Sequence, residues 1–290
     1  MTAVLGAVID ALREREALQA WVVESVKIGD AVVLVELAPT EPRERDEQRV
    51  AGLAHRPPGE PSAAMTERSD PIELLRPLAQ RGALPGSGAR PEPRADSGSG
   101  LDRAVALATL NALSAPDVDW QTGDPMAGVG PDISTIVTVG LFRPAFRKFA
   151  DVEVRVIERE EVDTAVVSTP EGVTVESFSP AETRTAMEGA EVVFVTGSAL
   201  VYGGIEQYVG AAPDEAQVVL IGATASMLPE PLYATGVDVV AGAVVEDIDR
   251  VRSAVSAGAC GTDLHDNGVR KSFVSRTRSS QNQLSLGDTQ

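Results

Sequence analysis

The run Thr196-Gly197-Ser198-Ala199-Leu200-Val201-Tyr202-Gly203-Gly204 is the stretch of this chain best suited to holding a ligand. It follows a short apolar segment, and its small residues let a bound molecule approach the backbone. The Thr196 and Ser198 hydroxyls supply donors for an anion or a carboxylate. A plain strand-to-helix turn with Ser198 as its cap uses the same residues. A second loop of similar make-up, Gly222-Ala223-Thr224-Ala225-Ser226, follows the next apolar segment. Two such loops on adjacent strand ends make a pocket more credible than one. Earlier, Gly140-Leu141-Phe142-Arg143-Pro144 holds the corresponding place, with one glycine where a dinucleotide fingerprint has three. Glu158 lies about 20 residues past Gly140, where nucleotide-binding folds set a carboxylate against ribose hydroxyls. A solvated acid at a strand end fits that position too.

Other reactive side chains are sparse. Asn111 is the one polar group in an apolar helical run, which makes it either a satisfied core amide or part of a site facing the second half of the chain. His55 precedes the Pro57-Pro58-Gly59 turn and reads as a surface residue. Cys260, the only cysteine, has no base nearby in sequence and reads as a passive thiol, and no intrachain disulfide can form. His265 with Asp263 is thin support for a metal site, because one imidazole with scattered carboxylates does not make a ligand set.

The elements that would position these groups fall into two parts. Residues 2–24 carry Val4, Leu5, Val8, Ile9, Leu12 and Leu18 at helical spacing and predict an amphipathic helix. Residues 31–37 and 49–55 predict strands, and residues 101–113 a helix buried all round, giving a small α+β domain over about 1–120. Proline, glycine and serine dominate residues 60–100, which predicts a loop with one short helix near 72–80. From Ile136 onward, near-continuously apolar strands at 136–140, 153–158, 192–196, 218–222 and 237–243 alternate with helices at 144–150, 180–188, 202–209, 229–233 and 247–256. That pattern predicts a parallel, doubly wound, Rossmann-like α/β domain over 130–274 with a core of its own, and a disordered polar tail over 276–290. Ligands of such sheets bind beyond the carboxyl ends of the strands.

Formal net charge is −18, and only Lys27, Lys148 and Lys271 of the 25 basic residues are lysines. Nucleic-acid binding rests on Lys and Arg neutralising phosphates, so this balance argues against it. Acid excess with few lysines also suits a salt-accumulating cytoplasm, though GC-biased arginine usage in a mesophile gives a similar composition. No apolar run is long enough to span a bilayer, and no basic and apolar leader opens the chain, so a soluble cytoplasmic protein is expected.

The ordered runs Ile136-Val-Thr-Val-Gly140, Arg155-Val-Ile-Glu158, Val193-Phe-Val-Thr-Gly-Ser-Ala-Leu-Val201, Val219-Leu-Ile-Gly-Ala-Thr224 with Leu228-Pro229, and Val240-Ala-Gly242 with Asp247 resemble the "putative heavy-metal chelation" family over residues 135–274. The resemblance implies a first domain like the N-terminal domain of enolase, echoed by Val50-Ala-Gly-Leu-Ala-His55 and Ala106-Leu-Ala-Thr-Leu-Asn-Ala-Leu113. This chain departs from the family pattern in two loops. It has Tyr202-Gly203-Gly204 where the family tends to read Asn-Gly-Thr, and Ala223 and Thr224 where proline and serine are usual. One cysteine and two histidines do not favour a soft transition-metal site.

Three functions stay open on these grounds. The first is binding of a small anionic or nucleotide-like metabolite, or of a metal chelate, in a cleft lined by Gly140, Glu158, Thr196, Gly197, Ser198, Tyr202, Gly222, Thr224 and Asn111. The second is a transferase or lyase using a nucleotide-type cofactor, with Glu158, His55 or Tyr202 as base. The third is a non-catalytic scaffold, with a homodimer compatible with any of them.

Overall fold

The computed structural model describes residues 3–41, 49–62, 70–79, 100–126, 129, 132–144, 148–160, 162 and 169–276. The proposed tail from residue 277 and most of the 60–100 loop lie outside them, as do residues 145–147 of the helix expected at 144–150.

Two sheets organise the chain. The smaller is antiparallel, in the order β1 (Trp21–Ile28), β2 (Val32–Pro39), β3 (Val50–His55). The larger adds β4 (Gln121–Thr122), β5 (Thr135–Val139), β6 (Glu153–Ile157), β7 (Thr174–Phe178), β8 (Val192–Thr196), β9 (Gln217–Ile221), β10 (Val239–Val245) and β11 (Val269–Ser275). Its order is β4-β11-β10-β9-β8-β5-β6-β7. The six strands from β7 to β10 run parallel and follow the doubly wound 3-2-1-4-5-6 order, so the chain reverses its direction of winding between β5 and β8. β11 and β4 close the other edge antiparallel, so the sheet is mostly rather than wholly parallel.

Helix was expected through residue 24, but it stops early. Helices Ala3–Glu14 and Ala17–Ala20 are separated at Glu16, which takes a left-handed φ of 58°, and β1 begins at Trp21. The β-branched Val22, Val23 and Val26 lose rotamer freedom in a helix, and pairing along the whole of β2 gives them a better alternative. β7 and β11 escape sequence reading because each is half polar and flanks the sheet, whereas the central strands are apolar on both faces.

Separate cores do not form. One buried cluster runs from Leu5 and Val8 through Leu107 and Leu110 to Val193, Leu200 and Leu220, joining both sheets through the helix Gly100–Ser114. Ile136, Val154, Phe194 and Val219 build a second cluster on the opposite face of the large sheet. On the far face of the small sheet, Val32, Leu34 and Leu53 pack against Val251, Val255 and Leu264. We propose division near residues 120–130 because β1–β3 supply one sheet and β4–β11 the other.

A charged cluster crosses this last interface. Glu36, wholly buried in β2, receives both Nε (2.6 Å) and Nη2 of Arg252, which lies on the helix Ile248–Ser256. Arg49 stands 3.9 Å from Glu36 and also reaches Glu24 and Asp249.

Candidate functional site

Doubly wound sheets bind their ligands in a crevice above the carboxyl ends at the winding reversal, here between β5 and β8, where Gly140 and the Thr196 loop meet. Gly140 has φ 89°, and a Cβ there would lie 2.3 Å from Thr196 Oγ1, so only glycine lets the two strand ends close up this far. Thr196 Oγ1 and Ser198 Oγ are 2.7 Å apart, sharing one hydrogen bond and leaving lone pairs and a proton for a further partner. Glu158 follows β6 and is held on the loop after Gly140. Its Oε1 accepts from the Leu141 N–H at 2.8 Å and its Oε2 from the Arg159 N–H at 3.2 Å, which fixes the carboxylate at the rim while lone pairs remain.

The first part of the chain supplies the opposite wall. His55, at the end of β3, donates its backbone N–H to Thr224 Oγ1 at 2.9 Å, and its Nε2 lies 3.4 Å from the Tyr202 hydroxyl. The two rings are tilted, with centroids 5.9 Å apart, and the Arg159 guanidinium sits 4.5 Å from the Tyr202 ring centre. His55 is exposed, in keeping with the surface role its sequence position gave it, and the end of β3 places its ring beside Tyr202. Arg159 was missed altogether; the only available signal was its place next to Glu158.

Not every candidate faces this crevice. Asn111 is buried and donates through Nδ2 to the carbonyls of Leu53 (2.8 Å), Ala223 (3.1 Å) and Thr224 (3.1 Å), pinning the turn after β9 to β3. Its Oδ1 has no hydrogen-bond partner among the described residues. Thr224 is buried too, with its hydroxyl taken up by His55. Both residues stand behind the wall. Gly197 and Gly222 lie at the adjoining strand ends, where the Gly197 N–H donates to the Ile221 carbonyl at 2.7 Å. Cys260 is exposed, and His265 Nδ1 donates to the Val269 carbonyl at 3.1 Å, far along the chain from these loops. Among the described residues no three His, Cys, Asp or Glu side chains gather as a metal site.

Two surface cavities, of 380 and 680 Å³, lie at the opposite, amino ends of the strands, lined by Val192, Gln217, Val218, Asp238 and Arg276 where strands begin or the chain leaves β11. The first gathers Glu191, Glu215, Asp238 and Arg276, but at the amino ends of the strands, away from where doubly wound sheets bind their ligands. The crevice therefore remains the better candidate.

Partial desolvation by the neighbouring elements lowers the His55 pKa below its usual 6.5, although the residue stays exposed to solvent. The folded chain thus binds this proton less readily than the unfolded one. Stability contributed here is complete above about pH 6.5 and falls as the pH drops from there toward the folded-state pKa. NMR titration of the two imidazoles should place His55 below 6.5, and His55→Gln should flatten that limb of the stability curve. Titration of His55 at or above 6.5 would contradict this account.

Residues 130–274 match the model of the family DUF364, described as "Putative heavy-metal chelation". The chain belongs to this family. Two solved DUF364 structures share its fold, each described as a protein of unknown function. One, from Pyrococcus horikoshii, is 16% identical with a TM-score of 0.66, and the match covers 93% of this chain and 100% of that one. The other, from Desulfitobacterium hafniense DCB-2, is 13% identical with a TM-score of 0.61, covering 93% and 99%. No curated protein matches the sequence. The DUF364 match begins just before β5 and ends within β11, so it takes in every strand-end loop described above. His55 and Asn111 come from outside it. No helix among the described residues is long and apolar enough to cross a membrane.

Proposed function

We propose that this DUF364 protein binds a small anionic or nucleotide-like metabolite, or a metal chelate, in the crevice beyond β5, β6, β8 and β9. The observation that carries this reading is Gly140 packed on Thr196, whose hydroxyl pairs with Ser198, with Glu158 held on the Leu141 N–H, and with Arg159 and His55 against Tyr202. Hydroxyls and backbone close to glycine suit an anionic group; a carboxylate beside them suits a hydroxyl-bearing one. The family description supports a role in metal handling. Since no three metal-binding side chains gather among the described residues, a metal held here would bring donors with it, which favours a chelate over a bare ion.

Thermal unfolding, in dilute buffer and in molar KCl, would be followed with adenine and nicotinamide nucleotides, S-adenosylmethionine, pterins, divalent metals and ferric citrate. A ligand at 100 times its Kd stabilises by about 2.7 kcal/mol. One class should shift the native protein and not the Glu158→Ala, Ser198→Ala variant. Equal shifts in both would move the site elsewhere.

The close His55–Tyr202 pair favours one alternative, a transferase or lyase using a nucleotide-type cofactor in which neutral His55 accepts a proton. Mass spectrometry of the same mixtures decides between them: turnover lost in His55→Gln would mark an enzyme, and unchanged ligand would leave binding alone.

A further inference from the structure

We propose that Tyr202 is the stacking platform for a planar heteroaromatic ring, and that the crevice ligand is a nucleoside or nucleotide with its base on Tyr202 and its sugar hydroxyls on Glu158. This inference rests on the crevice reading above and narrows it. Tyr202 is one of three large apolar side chains left exposed among the described residues, at 43%, and it keeps that exposure despite its contacts with Arg159 and His55. The other two, Val22 and Ile72, lie in the first part of the chain. Much of the ring's surface thus stays open to a further partner beside a polar site.

The groups around it suit such a ligand. Arg159 lies over the ring at 4.5 Å. A guanidinium is planar and delocalised, and its contact with an exposed tyrosine is weak. A base, which stacks more strongly, would take its place on the ring and leave Arg159 to cover the outer face of the base. His55 Nε2, 3.4 Å from the Tyr202 hydroxyl, marks a polar edge to the slot. Gly203, next in the chain, takes φ 84° and faces open space, since an added Cβ there would meet nothing within 4 Å.

Glu158 and Arg159 are consecutive, so the acceptor for hydroxyl groups and the cover for a ring are tied together at the end of β6. A ligand carrying a planar ring next to vicinal hydroxyls matches this arrangement. A compact metal ion or a chelate of an aliphatic acid gains nothing from the platform.

Titration calorimetry on the full chain would use adenosine, guanosine, cytidine, uridine, their monophosphates, ribose 5-phosphate, inorganic phosphate and ferric citrate. The native protein should bind at least one nucleoside or its monophosphate. Tyr202→Ala should weaken that binding on the order of tenfold or more, and Tyr202→Phe, which keeps the ring, should retain it. Because Tyr202 is exposed, circular dichroism and thermal unfolding of both variants should match the native protein. Undiminished nucleoside binding by Tyr202→Ala overturns the platform. If phosphate or ferric citrate binds and no nucleoside does, the crevice reading survives and the stacking proposal falls; if nothing binds, both fall.

Discussion

Arg252→Ala is expected to lower the unfolding free energy by about 3–5 kcal/mol, toward the lower end because the guanidinium is itself partly exposed. Glu36 is wholly buried in β2, and Arg252 gives it two charge-assisted hydrogen bonds. Those bonds, above all, raise the Arg252 pKa above its already high value. Removing the guanidinium leaves a desolvated carboxylate whose nearest cation, Arg49, is 3.9 Å away and shared with Glu24 and Asp249. The loss comes from the stranded charge rather than from the missing attraction. The double variant Glu36→Leu, Arg252→Leu should therefore recover most of it, since Leu34 and Val251 already make this interface apolar. The exposed Arg252–Asp249 contact adds little. Denaturant titration of the three proteins checks the sequence of effects; an Arg252→Ala variant within 1 kcal/mol of native would show that water reaches Glu36.

Gly52→Ala should cost about 3 kcal/mol or more, the upper part of the range for overpacked cores. A Cβ at this position would lie 2.1 Å from the Ala108 carbonyl oxygen, 2.4 Å from the Ala112 nitrogen and 2.9 Å from Asn111 Cβ. Two of these three atoms are helix backbone, which no rotamer change can move aside. The helix Gly100–Ser114 would have to lift from β3, and the bond from Asn111 to the Leu53 carbonyl would lengthen with it. For a chain of this size the fall in Tm would be about 6–12 °C. A scanning-calorimetry Tm within 2 °C of native would mean that strand and helix adjust far more readily than a close-packed core allows.

Much of this fold follows from local pattern. Central strands such as Val192–Thr196 are legible because both faces are buried, leaving short apolar runs that little else explains. The helix Gly100–Ser114 shows the same signal at helical period. The edge strand β7, and β11 next to the other edge, were hidden by their polar halves. β1 was hidden because the preceding helical pattern extends into it, and its partner β2 supplies the pairing that decides its state.

The candidate site divides along the same line. Sequence alone identified the strand-end loops and with them Gly140, Glu158, Thr196 and Ser198, because a parallel sheet always directs those loops to one side. Only the tertiary structure brought His55 against Tyr202 and laid Arg159 over its ring. It also showed Asn111 and Thr224 to be ties within the wall, and made one core of what composition suggested were two. The physical reason is range: a strand's period depends on neighbours a few residues away, whereas the contacts of His55 and Asn111 depend on how the helix Gly100–Ser114 and β3 pack against a turn more than a hundred residues later in the chain.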